Sequence, residues 1–251
     1  MNLIIINQII ILGIVVLIGV IAARARILTG EINQSLSNLV FNITLPFLVF
    51  TSVASIKISP DMISNSIMVF IFTFVAVFSL YGTALASARF FKLDDGARVV
   101  HVMHTMFGNT IFLGYPLIKS LFGEEGLLYA IIYQLSSDII MWTFGIFLLN
   151  GKREKNIWVS LKTLLNPNTL AFAAGLLFMA FHIQIPYIIN TSLGSLGQTT
   201  VPLSMLFIGG MMARISIKGV FSHRYVFGMA VNKMIISPAL ITALLFLLNK
   251  Y

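Results

Sequence analysis

The sequence near the start of the chain reads LIIINQIIILGIVVLIGVIAA from Leu3 to Ala23 and contains no charged side chain. About 20 mainly apolar residues are enough for a helix to cross the hydrocarbon core of a bilayer. No basic segment precedes the run, its positive residues Arg24 and Arg26 follow it, and it is longer than the apolar region of a secretory signal. We therefore expect a retained first membrane helix.

Similar apolar runs recur along the whole chain. Hydrophobic residues make up 58% of the 251 residues and charged residues only 10%, whereas soluble domains carry about 25% charged residues. The sequence therefore predicts an all-α polytopic membrane protein with about eight transmembrane helices and no soluble domain. After the first helix, we expect spans at about residues 36–55, 63–88, 99–121, 127–149, 170–189, 196–213 and 226–248.

The Lys and Arg residues lie mainly on one side of these spans. Twelve of the 16 fall in the connections after spans one, three, five and seven, and only Lys57, Lys119 and Lys250 fall on the opposite side. Because short loops rich in Lys and Arg stay in the cytoplasm, we expect a multi-pass protein of the cell (plasma) membrane with both termini outside. This distribution also explains the net charge of +8 without a nucleic-acid partner.

The fourth span is interrupted. It reads GNTIFLGYP from Gly108 to Pro116, so two glycines and a proline fall inside an otherwise apolar helix. Proline removes a backbone donor and clashes with the preceding turn. Irregular backbone at this depth is tolerated where it is buried in protein or lines a watery cavity, and broken helices form the binding sites of many secondary transporters. A binding site is favoured over a purely structural kink.

Two halves of the chain are weakly similar. Leu45-Pro46 in the second span and Val201-Pro202 in the seventh have their prolines 156 residues apart, and each pair follows small and polar residues. A five-helix unit that repeats after five spans is inserted upside down. We predict a first five-helix repeat at residues 1–150, a cytoplasmic linker at 151–167, and a partial second, inverted repeat of three helices at 168–251.

These segments resemble the auxin efflux carrier family. The resemblance covers essentially the whole chain and rests on residues 109–119, Phe122-Gly123, Gln134, Leu45-Pro46, Asn166-Pro167, Val201-Pro202 and Gly209-Gly210. It implies a ten-helix, inverted-repeat carrier of small organic acids such as malate, malonate or an auxin-like acid, which forms a homodimer. Asn109 would then hydrogen-bond the carboxylate, Pro116 would maintain the helix crossover, and Gln134 would line the pocket.

The candidate substrate-binding residues follow from the broken helix and the resemblance. They are Asn42, Pro46, Gly108, Asn109, Thr110, Gly114, Tyr115, Pro116 and Gln134. Asn42 is placed to bond a neighbouring helix, which is the commoner role of such a residue, or an ion.

Asp138 and Lys233 are ionisable residues inside predicted spans and are costly there unless paired or facing water. They could form a buried pair, Asp138 could instead bind a proton or Na⁺, and Lys233 could extend its ammonium to the membrane interface. His101 and His104 lie three residues apart without a third ligand, which favours packing or interfacial roles over a metal site.

The sequence favours a secondary carrier over an enzyme. Hydrolase, metalloprotease and phosphate-binding motifs do not occur in it, and no cofactor is expected beyond coupling to Na⁺ or H⁺. The ten-helix pattern would place a second broken helix beyond Tyr251. Two alternatives therefore stay open: a non-transporting fragment that needs a partner, and a relative of the sodium-coupled bile-acid symporters, which share the crossover design.

Overall fold

The structure is a computed structural model that describes residues 2–56, 59–108, 110–150, 165–215 and 224–248. Within these ranges the regular elements are all helices. We number them α1 (Asn2–Arg24), α2 (Gly30–Ala54), α3 (Pro60–Phe90), α4 (Asp95–Met106), α5 (Tyr115–Ile140, continued by Met141–Gly145 and Ile146–Asn150), α6 (Pro167–Ala180), α7 (Tyr187–Gln198), α8 (Thr200–Met212) and α9 (Arg224–Val231, continued by Asn232–Ile236 and Ser237–Leu248).

Polar side chains and prolines mark several helix starts. The Thr29 hydroxyl accepts a hydrogen bond from the Ile32 backbone N–H at 3.4 Å, and Asp94 Oδ1 accepts one from Ala97 N–H at 2.8 Å. Asn166 caps α6 through Asn168 N–H and Thr169 N–H, and Pro167 occupies the first turn, where no amide donor is needed. These caps satisfy amide groups that a helix start otherwise leaves unpaired.

The described residues contain four stretches of wider, π-helical backbone, and three of them end two residues before a proline, whereas no proline closely follows Met141–Gly145. The three are Val40–Thr44 before Pro46, Thr110–Gly114 before Pro116, and Asn232–Ile236 before Pro238. A proline ring clashes with the carbonyl four residues earlier and cannot donate to it. Widening the preceding turn accommodates the ring and keeps the chain helical. These prolines therefore change the local hydrogen-bond pattern from α-helical to π-helical without ending the helix.

The helices agree with the predicted all-α membrane fold. Among the residues described, the helices long and apolar enough to cross a membrane are Ile6–Arg24, Gly30–Ala54, Pro60–Phe90 and Leu117–Leu149, with shorter apolar helices at Pro167–Ala180 and Gly228–Ala243. Gly123 has φ 66° and ψ −156°, so the run Leu117–Leu149 is kinked and its second part is the predicted fifth span.

The predicted sixth span, 170–189, is wrong at its C-terminal end. Helix α6 stops at Ala180, His182 has a left-handed φ of 53°, and a new helix begins at Tyr187 after Pro186. Because proline disfavours helical backbone in the residue before it, Ile185 cannot readily continue α6. The apolar composition runs through this turn, which is why hydropathy alone extends the span.

The described chain divides into two compact units by its contacts. Unit 1 contains Met1–Ile67, Asn109–Leu135 and Thr163–Ile215, and unit 2 contains Met68–Gly108, Ser136–Lys162 and Ser216–Tyr251. Unit 1 has an apolar core that includes Leu45, Val53 and Leu127, and unit 2 has one that includes Val77, Val102 and Ile140. The units interleave along the sequence, so they are a different division from the repeats at 1–150 and 168–251, which stay a prediction.

Unit 1 is held together by helices that approach at glycines. A Cβ added to Gly19 of α1 would lie 2.6 Å from the Leu206 carbonyl oxygen and 3.1 Å from Gly209 Cα, both in α8. A Cβ added to Gly175 of α6 would lie 2.9 Å from Val53 Cβ in α2. Positions 19 and 175 are 156 residues apart, and so are 53 and 209. The two contacts are therefore related by the same shift as the two Leu/Val-Pro pairs, as an inverted repeat would require.

Candidate functional site

The predicted break in the fourth span is present, and it lies at Phe107–Gly108. Helix α4 ends at Met106, and Phe107 has extended backbone with φ −110° and ψ 132°. Gly108 is also outside any helix, and helical backbone resumes at Thr110. Asn109, the central candidate for binding substrate, lies outside the described residues. The break leaves the C-terminal carbonyls of α4 without intrahelical partners.

Lys233 of α9 bonds to carbonyls at this end of α4. Its ammonium donates hydrogen bonds to the His104 carbonyl oxygen at 2.5 Å and to the Phe107 carbonyl oxygen at 2.7 Å. The side chain is half-buried, and a Cβ added to Gly108 would lie 3.7 Å from Lys233 Nζ. A cation at the C-terminal end of a helix is favourable because the helix dipole is negative there. The predicted Asp138–Lys233 pair stays a prediction.

A buried polar network lies next to this contact in unit 2 and was not foreseen from the sequence. Ser87 of α3 lies 2.7 Å from His101 Nε2 of α4, and Asn232 Nδ2 of α9 donates to Ser87 Oγ at 3.1 Å. Ser237 donates to Asn232 Oδ1 at 3.4 Å. The imidazole of His101 and the amide of Asn232 are almost fully buried. The one available signal was that four polar residues fall inside apolar spans, which marks each as a packing contact.

The roles of donor and acceptor between Ser87 and His101 depend on the tautomer of the imidazole. If the Ser87 hydroxyl donates to the Ala84 carbonyl at 3.0 Å, its oxygen accepts from His101 Nε2–H. Within the part of the chain that is described, the buried His101 Nδ1 has no hydrogen-bond partner. This is a packing histidine of the kind favoured from the sequence. No group of three metal-ligating side chains occurs among the described residues.

The candidates that follow the break lie in unit 1. Thr110 lines a largely apolar cavity of about 540 Å³ together with Phe122, Glu125 and Tyr133. Gly114 ends the π-helical turn, and an added Cβ there would lie 2.9 Å from Thr110 Cγ2. Tyr115 is 4% exposed and belongs to the apolar core of the unit. Pro116 lies two residues after this π-helical turn, which accommodates the proline and its missing amide within a continuous helix.

The remaining candidates occupy varied settings. Asn42 is exposed and donates from Nδ2 to the Asn38 carbonyl of its own helix at 2.9 Å, and not to a neighbouring helix. Pro46 is buried in α2. Gln134 and Asp138 both lie on α5, half-buried, and each has an interaction partner. Binding roles for these residues stay predictions.

Asparagine side chains in unit 1 also bond to backbone carbonyls of neighbouring helices. Asn168 Nδ2 of α6 donates to the Phe41 carbonyl in the π-helical turn of α2 at 3.2 Å. Asn33, 1% exposed, donates from Nδ2 to the Phe207 carbonyl of α8 at 3.3 Å. Hydrogen bonds of this kind between helices satisfy polar side chains where no water is available.

Comparison with known proteins gives these features a context. A sequence profile of one family, described as membrane transport protein, matches residues 4–250. The chain belongs to this family. The predicted likeness to the auxin efflux carriers is thereby confirmed. The protein is a member of a family of membrane transporters, and its apolar helices agree with a place in the membrane.

Two archaeal proteins show how far the likeness extends. An uncharacterized transporter of Methanocaldococcus jannaschii is 31% identical over 97% of this chain and 80% of its own length. An uncharacterized transporter of Methanothermobacter thermautotrophicus is 29% identical over 78% of this chain. The matched region spans 64% of that second relative.

Proposed function

We propose that this protein is a secondary carrier that moves a small organic anion across the cell membrane by alternating access around the broken fourth helix. The observation that supports it most directly is the loss of helical backbone at Phe107–Gly108, inside the predicted fourth span of a transporter-family chain. Broken helices present backbone groups and dipole ends to a ligand, which continuous membrane helices cannot do.

The charge of the site favours an anion. The chain resumes helical backbone at Thr110, and a helix start carries a partial positive charge that attracts carboxylates. The half-buried Lys233 ammonium lies at the Phe107–Gly108 end of the break, 3.7 Å from the position of a Cβ on Gly108. Asn109, the residue between Gly108 and Thr110 in the sequence, has an amide that can donate to a carboxylate oxygen. In this proposal the carrier is a homodimer whose Lys/Arg-rich connections face the cytoplasm.

The test is uptake by purified protein in proteoliposomes, with radiolabelled malonate and malate as probes. Asn109→Ala removes the amide donor, and Asn109→Asp replaces it with a charge that repels carboxylates. A hydrogen bond to a charged group contributes about 1.5–3 kcal/mol, so we expect uptake at low substrate to fall roughly 10- to 100-fold in Asn109→Ala, and further in Asn109→Asp.

Asn38→Ala is the matched control, because Asn38 is an exposed asparagine whose side chain bonds only weakly, at 3.4 Å, to Gln34 of its own helix. It should transport like the wild type. If both Asn109 variants keep wild-type uptake while remaining monodisperse in detergent, the assignment of the site is wrong. If wild-type vesicles accumulate neither acid, small dicarboxylates are not the substrate class.

A further inference from the structure

The contact between Lys233 and the end of α4 has a specific electrostatic geometry. Helix α4 has 12 residues, and its C-terminal carbonyls carry the negative end of its dipole. The His104 carbonyl would normally accept from an amide four residues on, but Phe107 and Gly108 have left the helix. Two carbonyl oxygens thus converge on one ammonium, at 2.5 and 2.7 Å.

Carriers with broken helices use this same feature for ions. In sodium-coupled carriers, unwound carbonyls and the C-terminal ends of half-helices hold the coupling cation inside the membrane. The requirement is a monovalent positive charge surrounded by carbonyl oxygens, shielded from lipid. Lys233 supplies a single positive charge at such a helix end, and this charge is covalently attached to the protein.

The location of Lys233 on its own helix indicates that its contact with the end of α4 is specific. It lies in the π-helical turn Asn232–Ile236, and π-helical turns are frequent at functional sites. The preceding residue, Asn232, is anchored to Ser87 at 3.1 Å, which fixes the turn against α3. A lysine that only reached for the membrane interface would extend into water, whereas this ammonium donates to backbone of a neighbouring helix.

We propose that the Lys233 ammonium is a tethered cation that occupies, at the C-terminal end of α4, the position that a sodium-coupled carrier of broken-helix design fills with Na⁺. The wild-type protein then needs no Na⁺ at this position. A substitution that removes the ammonium should leave a site at the end of α4 for a small free cation that has N–H donors. The electrostatic part of this proposal holds whether or not the proposed substrate class is right.

Lys233→Met is the principal test, because methionine keeps an unbranched apolar stem and removes the charge. The readout is the apparent melting temperature of purified protein in detergent, with no substrate present. We expect it to fall by about 4 °C in Lys233→Met. Methylammonium chloride should restore it in a saturable manner, whereas tetramethylammonium chloride at the same ionic strength should not, since it has no N–H donor.

Three further variants make the result specific. Lys119→Met removes the exposed lysine that pairs with Glu124, and it should show no response to methylammonium. Lys233→Gln keeps a donor without the charge, and should fall between the wild type and Lys233→Met. Lys233→Arg keeps the charge, so it should need no added amine. If Lys233→Met is too unstable to purify, the Gln variant carries the same methylammonium titration.

Two results would overturn the proposal. One is a Lys233→Met protein, or in its absence Lys233→Gln, that responds equally to methylammonium and tetramethylammonium or to neither. The other is a wild type that Na⁺ stabilises saturably and K⁺ does not, with the response unchanged in the Lys233 variant. Wild-type uptake that is equal in Na⁺ and in choline media would support the proposal. Loss of all uptake in the wild type with the melting results intact would reject only the proposed function.

Discussion

Two sets of helix contacts, one in each unit, work in different ways, although neither kind is confined to one unit. Asn33 and Asn168 also donate to carbonyls of neighbouring helices in unit 1, and Gly228 of unit 2 closely approaches the Phe91 ring. In unit 1, α1 meets α8 and α6 meets α2 at glycines, where backbone lies against backbone or a Val53 side chain. In unit 2, α3, α4 and α9 are joined by the buried network of Ser87, His101 and Asn232 and by Lys233. Lipid is as apolar as leucine, so helices in a bilayer associate through close packing or through hydrogen bonds rather than through hydrophobicity.

The difference indicates which change would disturb each set of contacts. Glycine contacts between helices require a fixed distance, so they tolerate little added volume. A buried polar network fixes the helices as long as every group is bonded, and removing one partner leaves the others unsatisfied. The broken end of α4 lies beside the polar network.

The largest effect should come from disturbing a glycine contact in unit 1. In Gly19→Ala, the new methyl would lie 2.6 Å from the Leu206 carbonyl, and that backbone atom cannot rotate away. We expect a loss of about 3 kcal/mol and a melting temperature lower by about 6–12 °C. Thermal unfolding in detergent measures this.

Two other glycines calibrate that result. Gly13 is on the same helix, and an added Cβ there meets nothing within 4 Å, so Gly13→Ala should be neutral or slightly stabilising. Gly175→Ala should fall between them, because its nearest approach is 2.9 Å, to Val53 Cβ, and the Phe50 carbonyl oxygen lies at 3.3 Å. Equal melting temperatures for Gly13→Ala and Gly19→Ala would show that close packing does not hold unit 1 together.

A smaller loss should follow from cutting the network in unit 2. Asn232→Ala removes the hydrogen bond to Ser87 and leaves polar groups buried, which we expect to cost about 1–2 kcal/mol, or roughly 2–8 °C in melting temperature. Asn65→Ala, which removes an exposed asparagine bonded to Tyr129 at 3.3 Å, is the matched control.

A double-mutant cycle isolates the bond itself. Ser87→Ala should cost less in the Asn232→Ala background than in the wild type, because the shared hydrogen bond is already absent. Strict additivity of the two losses would mean that the network contributes through packing alone, and the contrast between the units would disappear.

The smallest effect should come from an ion pair that belongs neither to the glycine contacts of unit 1 nor to the polar network of unit 2. Lys119 Nζ lies 2.7 Å from Glu124 Oε1, and both side chains are substantially exposed. Exposed pairs contribute about 0–1 kcal/mol, so Glu124→Gln should shift the melting temperature by no more than about 2–4 °C, and less at high salt. A shift as large as that of Asn232→Ala would show that exposed charge matters as much as the buried network.

The break in the fourth span was predictable because glycine and proline act locally. Gly108 leaves the helix as expected, whereas Pro116 does not break it, since the helix widens at Thr110–Gly114 just before the proline. Hydropathy located the membrane helices but extended the sixth span past Ala180, because it does not register the left-handed turn at His182.

Contacts between distant helices were beyond the reach of the sequence. Lys233 was recognised from the sequence as costly in a membrane. Its partners are backbone carbonyls 129 and 126 residues away in the chain. Because every residue has a backbone carbonyl, the sequence does not indicate which of them would bond to Lys233. The offset of 156 residues relates Gly19 to Gly175, but it does not indicate which residues these glycines contact.

The length of α3 has a mechanical consequence. Its 31 residues extend about 46 Å, and Asp61 in its first turn and Arg89 in its last are about 42 Å apart, whereas the hydrocarbon core measures about 30 Å. The helix can therefore tilt by up to roughly 45° before either charged end enters the hydrocarbon. Because of this extra length, α3 can tilt, or the bilayer can become thicker, without placing a charged side chain in the hydrocarbon core.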